Sequence, residues 1–369
     1  MTPTVHTVGM ERTDAPMGER ARRGRGPRDG VGTGTGRGRR TTDGAGAAGT
    51  SHRSPGWRPL SGPALLERLR VTGRPRPAAD PAFTADLKGL LESGLQDLAE
   101  LGGPEDGGRL VVTKDRLTGV LACPGHRTVD RFGERSFTIP MACGALVDAL
   151  FRQIVTVGSV GDPLADALDG LGTDERQSGL VAWIGGLAPS DLAELRAEVD
   201  RQVQGLVSRW PVLDPHWLPR TQEAMRAGLA GGRIELSARV DLAIGRPAED
   251  EGSVAIVEVK SGARRPAHRE DLRFYALVEA LRSPAPPFAV ATYYSRTGEV
   301  DVESVTHDLL VEAARRCLVG TRELAGAPSG ADSGAWCSAC AVLPRSPVVT
   351  APPVAADTAV VPFPRGQAA

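Results

Sequence analysis

Apolar and polar positions alternate without a break from Arg233 to Leu242. Ile234, Leu236, Ala238, Val240 and Leu242 fall on one face, and Arg233, Glu235, Ser237, Arg239 and Asp241 on the other. That period of two predicts a half-buried strand. Val254–Lys260 follows as a mostly apolar strand ending in charge, Ser261-Gly262 breaks it, and a helix is expected from about Arg269 to Leu281. Pro284–Pro287 then lead into a strand, Phe288–Tyr294. A Thr297-Gly298 turn returns the chain as Val300–Val305, and Thr306 caps a last helix to about Leu324. Upstream, apolar residues three and four apart predict helices at Ala64–Leu69, Phe83–Leu95 and Gly144–Gln153, and residues 160–230 read as mostly helical with Gly and Pro breaks.

The ends of the chain carry no such pattern. Residues 1–56 are Gly, Arg, Thr and Ser with almost no large apolar side chain, so they cannot offset their conformational entropy by burial and are expected to be a disordered basic tail. The run Gly32–Gly38 resembles a phosphate loop only in composition, because no strand precedes it and no periodic helix follows. Residues 57–110 form a helical lead-in, 111–346 the main domain with a helical insertion at about 150–230, and 347–369 a loose Pro/Ala/Val-rich tail.

Charge changes the picture only in its distribution. Acidic and basic residues nearly cancel, 45 against 44, but residues 1–60 hold eleven Arg and five acidic residues, so a basic tail precedes an acidic body. No uninterrupted apolar run approaches the roughly 18–20 residues of a membrane helix, and no apolar segment follows the N-terminal charges, so a soluble, cytoplasmic protein is expected. The five cysteines give no disulfide framework, and the close pair Cys337/Cys340 reads better as a metal or redox feature.

The candidate chemistry lies on the two clearest strands. Asp241 ends the polar face of one, and Glu258 and Lys260 sit two apart, hence on one face, of the next. Carboxylates converging from neighbouring strands are hard oxygen ligands suited to Mg²⁺ or Mn²⁺. A lysine beside them orients an attacking water or offsets charge on a pentavalent phosphate. The same acid-x-Lys spelling at Asp86 and Lys88 falls in an amphipathic helix, where charges decorate a solvated face. Glu258 and Lys260 instead close a strand with five apolar residues ahead of the lysine, where purposeless buried charge is costly; a surface ion pair at a strand end is the alternative. In the next helix His268, Asp271, Tyr275, Glu279 and Arg282 form a polar stripe that either lines a nucleic-acid cleft or is the solvated face of an ordinary amphipathic helix.

These residues resemble the PD-(D/E)XK nuclease superfamily, in particular RecB-type and CRISPR-associated exonuclease domains. The matching text is Arg239-Val-Asp241-Leu, Val257-Glu258-Val-Lys260-Ser-Gly and Asp271-Leu-Arg-Phe-Tyr275-Ala-Leu. The resemblance implies a restriction-endonuclease-like α/β fold, a mixed central sheet flanked by helices, and metal-dependent cleavage of single- or double-stranded DNA, as in repair or recombination. It implies Asp241 and Glu258 as metal ligands, Lys260 as the catalytic lysine and Tyr275 as the tyrosine of a Gln-x-x-x-Tyr helix. Asp271 stands where that Gln is usual, and Asp148 where many relatives place a metal-binding His. Relatives also hold a 4Fe–4S cluster through one Cys before the core and a C-x₂-C-x₅-C group after it. Cys123, Cys337 and Cys340 match three positions and Ser346 the fourth. A vestige without metal, a surviving cluster and, through His126, a Zn²⁺ site are the alternatives. Cys143 and Cys317 read as packing residues. The rival to a nuclease is a degenerate nuclease fold that binds nucleic acid or scaffolds a partner, favoured if Asp241, Glu258 and Lys260 diverge.

Overall fold

The computed structural model describes Glu67, Leu69 and residues 76–100, 108–122 and 137–326. In chain order the elements are α1 (Pro81–Glu100), β1 (Leu110–Val112), α2 (Lys114–Ala122), α3 (Ile139–Val157), α4 (Pro163–Gly172), α5 (Ser178–Gly185) and α6 (Pro189–Arg209). Then come β2 (Arg220–Leu229), β3 (Ile234–Ile244), β4 (Ala255–Lys260), α7 (Pro266–Arg282), β5 (Ala289–Tyr294), β6 (Glu299–Ser304) and α8 (His307–Ala325). The tails, the segment that begins with Cys123 and the Cys337/Cys340 pair lie outside the described residues.

The six strands form one mixed sheet. β1 runs parallel to β3, β3 antiparallel to β2 and β4, β4 parallel to β5, and β5 antiparallel to β6. The β4–β5 step is parallel, so the chain must cross over, and α7 is the crossover helix. The β5–β6 hairpin closes at Gly298, whose φ of 69° is a conformation that favours glycine. Thr306 caps α8 by accepting from the Leu309 N–H at 3.2 Å.

One layer of helices covers each face. Leu87, Leu91 and Leu95 of α1, Leu117 and Val120 of α2, Leu277 of α7 and Leu310 of α8 share a core with Leu236, Val240, Ile256 and Val290 of the sheet. Leu146, Leu150 and Phe151 of α3, Leu164 of α4, Ile184 of α5 and Val199 and Leu206 of α6 pack on Leu242, Ile244, Val257 and Tyr293. The helix α3 is long and apolar enough, by length and composition, to cross a membrane; in the fold it is a core helix that also carries Asp148 and Arg152.

Two expectations are corrected. The helical reading of 150–230 runs too far, because Arg220–Leu229 is a strand paired with almost all of β3. Met225, Ala227 and Leu229 are buried and alternate with exposed Ala224, Arg226 and Gly228, but the polar lead-in Thr221-Gln222-Glu223 and the small residues blunt that signal. The strict alternation along β3 also fails at one point. Val240 and Leu242 should share a face, yet Val240 lies in the first core and Leu242 in the second. The phase slips at Asp241, where the partner strand is irregular. Thr221 stands opposite Leu242 and Glu223 opposite Val240, so Gln222 faces Asp241, and Gln222 takes a left-handed φ of 54°.

Candidate active site

Strand pairing brings the charged residues together. β2 lies along the whole of one edge of β3, so β1, at Ile234–Leu236, and β4, at Leu242–Ile244, share the other edge with a gap between them. β1 runs toward that gap in the direction of β3, and β4 runs toward it from the other end. Glu258 and Lys260, at the end of β4, therefore meet the chain that leaves β1. One step past the Leu242–Val257 pair places Asp241 across from Glu258, where Cβ atoms of facing residues are about 5 Å apart. The backbone ladder stops there, and Asp241 Oδ2 instead accepts the Val259 N–H at 2.7 Å.

Glu258 is the centre of the cluster. Its Oε1 accepts from Lys260 Nζ at 2.7 Å, from Lys114 Nζ at 2.5 Å and from Tyr275 Oη at 3.4 Å, while its buried Oε2 has no hydrogen-bond partner. Asp271 Oδ2 lies 3.7 Å from Lys114 Nζ and 3.6 Å from Lys260 Nζ. Burial would raise the Glu258 carboxyl, but Lys114 and then Lys260 hold it below the usual range. Burial also pulls the Lys114 ammonium toward neutrality, and Glu258, Tyr275 and Asp271 outweigh it, so this lysine stays charged. Asp271 is pushed up by its burial despite both lysines, and the Tyr275 hydroxyl is pushed well up by burial and then by Glu258.

Asp148 comes to the same place from α3. Gln222 donates its amide to both carboxylate oxygens, at 3.0 and 3.1 Å, and the Asp148 carboxyl lies beside that of Asp241. Asp241 is raised well above an ordinary aspartate by burial, then by Glu258 and Asp148; Asp148 is raised by burial first and then by Glu258. Carboxylates crowded in this way share protons until a cation relieves them.

Lys114, Asp148, Gln222, Asp241, Glu258 and Tyr275 line a cleft of about 420 Å³ whose rim also carries Arg176, Arg226 and Arg239. Arg226 faces Ser237 and Arg239 faces Ala224, so the two arginines rise from the same two-strand ribbon with small residues between them. A cationic rim above an acidic floor suits a polyanion that is reached through metal.

Among the described residues no three His, Cys, Asp or Glu form a ready set of metal ligands. The residues nevertheless fit a hard divalent ion. Glu258 Oε2 is buried and unpartnered, Asp241 stands across from it, and Mg²⁺ habitually takes one or two carboxylates and completes its shell with water and phosphate oxygens.

Of the residues singled out in the sequence, Asp148, Asp241, Glu258, Lys260 and Tyr275 gather here. The polar stripe on α7 divides. Tyr275 reaches Glu258 and Asp271 reaches the two lysines, while His268 Nδ1 lies 3.3 Å from Tyr294 Oη, its imidazole pushed down to about 4 by burial, then by Lys260 and Arg265. Glu279 faces neither cleft nor solvent; it is buried and bonded to Arg282 at 2.6 Å and to Ser283 at 2.7 Å. Asp86 and Lys88 are exposed on α1. Cys143 and Cys317 are buried in the two cores, and burial pushes the Cys317 thiol up to about 12. Cys123, His126, Cys337, Cys340 and Ser346 lie outside the described residues.

Sequence reasoning missed Lys114 and Gln222. Only three of the 44 basic residues are lysine, at 88, 114 and 260, and that scarcity was a usable signal. A chain that otherwise uses arginine keeps a lysine where a compact ammonium is needed instead of a planar fork. Gln222 gives no such signal, because its role depends on a backbone kink.

A mixed sheet between two helical layers carries an acid–lysine cluster where the end of β4 meets Asp241 of β3. A family model for the PD-(D/E)XK nuclease superfamily matches residues 125–345, and the chain belongs to that superfamily. Membership brings a nuclease-like function with nucleic acid as the substrate class. No curated protein matches the chain.

Proposed function

We propose that this protein is a metal-dependent DNA nuclease of the RecB type that hydrolyses phosphodiester bonds with Mg²⁺ or Mn²⁺. The observation that carries the reading is Glu258, a buried carboxylate with one oxygen held by Lys260 and the other unpartnered, facing Asp241 across a strand pair. Asp241 and Glu258 are the ion's protein ligands, and Asp148 is a third carboxylate, oriented by Gln222. When bound, the ion polarises a phosphoryl oxygen and lowers the pKa of a water. Lys260 orients that water and offsets charge on the phosphate, Tyr275 restrains Glu258, and Arg226 and Arg239 hold neighbouring phosphates. The water oxygen forms the new P–O bond, the bridging P–O bond breaks, and the leaving oxygen takes up a proton.

The test is cleavage of labelled single- and double-stranded DNA by the purified protein in Mg²⁺, Mn²⁺ or EDTA. Cutting in metal and none in EDTA is the expected result, and no cutting with any ion overturns the reading. The occupation of Glu258 Oε1 by two ammonium groups favours the second reading, a fold that binds nucleic acid without cleaving it. Retention of DNA with no product in any metal would establish that alternative.

A further inference from the structure

Lys114 is the one charged member of the Glu258 cluster that the family match leaves out. It stands eleven positions before the matched segment begins at residue 125. Packing nevertheless fixes where it stands. It is the first residue of α2, directly after the short strand β1, and Leu117 and Val120 bury that helix in the core beneath the sheet. Gly320 of α8 lets the helices approach closely, since a Cβ there would come within 2.5 Å of a Leu117 methyl.

The number of cations at Glu258 exceeds what burial of that carboxylate requires. Lys260 alone supplies one ammonium to one carboxylate at 2.7 Å. Lys114 adds a second on the same oxygen while Oε2 stays without a donor. Two ammonium groups on one oxygen repel each other, and Asp271, within 3.7 Å of both, offsets that repulsion. An ion pair that served only to neutralise Glu258 would need no second ammonium on the oxygen already held, with Oε2 left bare. The lysine also lines the cleft that holds Asp241, Asp148 and the arginine rim, with about a fifth of its side chain exposed at 18 %. Of the three lysines in the chain, the two outside α1 both end on Glu258 Oε1.

Resting on the nuclease reading, we propose that Lys114 is a second catalytic ammonium of this site. It is seated on Glu258 and Asp271 while the cleft is empty and turns to a nonbridging oxygen of the scissile phosphate when DNA lies across it. A divalent ion held through Oε2 would draw on the same carboxylate charge that seats Lys114 on Oε1, and so would leave the ammonium available to a phosphate. Lys114 gives up no proton in the step. It lends positive charge to the nonbridging oxygens while the water oxygen bonds to phosphorus and the bridging P–O bond breaks. A protein donor aimed at developing negative charge in a partly dehydrated site acts in this way.

The experiment compares wild type with Lys114→Met and Lys114→Arg in three measurements. These are Mn²⁺ binding by calorimetry without DNA, single-turnover cleavage of labelled single-stranded DNA at saturating Mn²⁺, and melting temperature in EDTA. Lys114→Met should bind Mn²⁺ at least as tightly as wild type, because a competing cation has gone, yet cut about a hundredfold more slowly. Lys114→Arg, which keeps the charge, should recover part of the rate. A Lys114→Met protein that cuts at the wild-type rate, with only its Mn²⁺ affinity shifted, makes Lys114 a mere counterion and overturns the proposal. Met and Arg variants that are equally slow and melt equally early also overturn it, since the role would then be structural. Wild type that cuts nothing overturns the nuclease reading itself, which separates that failure from this one.

Discussion

Glu258 and Glu303 are both carboxylates surrounded by basic side chains on or beside α7, and they are built in opposite ways. Glu303 shares both oxygens between two arginines: Arg269 donates at 2.6 and 3.1 Å, and Arg273 at 2.9 and 3.3 Å. Its charge and its lone pairs are both satisfied, and although burial opposes it, hydrogen bonds from Arg273 and then Arg269 hold the carboxyl below the usual range. Glu258 gathers Lys114, Lys260 and Tyr275 on one oxygen and leaves the other buried with no partner. The surrounding charges differ too, since Asp241 and Asp148 crowd Glu258 and are pushed up first by burial and then by the Glu258 charge. A balanced network of that first kind holds β6 to α7; an unbalanced one of the second kind is unfinished without a cation and a substrate.

The largest expected effect separates the two by catalysis. Asp241→Asn, Glu258→Gln and Lys260→Ala should each lower single-turnover DNA cleavage by about a thousandfold or more while circular dichroism shows a folded protein. Glu303→Gln should leave the rate unchanged. A Lys260→Ala protein that cuts like wild type, or a Glu303→Gln protein that does not, would erase the contrast.

A smaller effect sharpens the cleft side. Gln222→Leu removes both amide bonds to Asp148 and should weaken Mn²⁺ binding about tenfold, the scale at which orienting partners act on metal ligands. Gln222→Gly loses the same amide but relaxes the left-handed backbone, so its melting temperature should exceed that of Gln222→Leu. Unchanged Mn²⁺ affinity in both variants would show that Asp148 is not part of the cation site.

The smallest effect concerns the balanced network and its pH dependence. The folded-state pKa of Glu303 is depressed, so its contribution is present above the unfolded value and lost as pH falls through the lower folded one. Glu303→Gln should therefore cost about 1 kcal/mol in urea melts near neutrality, given how far solvent screens such pairs, and nothing once the wild-type carboxyl is protonated. A deficit that persists at low pH would point to lost packing instead of lost charge.

How much of this was legible in the sequence differs by element. β3, β4, α7, β5, β6 and α8 could be read because each has a strong period or a clear cap, such as Thr306 before α8. The strand β2 was hidden because Ala, Gly and polar residues dilute its alternation; its identity comes from pairing with β3, a contact no local window contains. Asp241, Glu258 and Lys260 could be proposed from strand ends and spacing alone, and Asp148 and Tyr275 came with the resemblance.

What the sequence determined by itself was the set of strands and helices with strong periodicity and the positions where charge follows a buried strand, because burial and hydrogen bonding enforce those patterns locally. Only the tertiary structure decided that β1 and β4 share one edge of β3 and end at a common gap, which brings Lys114 from 144 residues away onto Glu258. It also decided that β3 changes faces at Asp241, opposite the kink at Gln222. Both depend on how strands pair, and strand register is a property of two segments at once, so neither segment's sequence contains it.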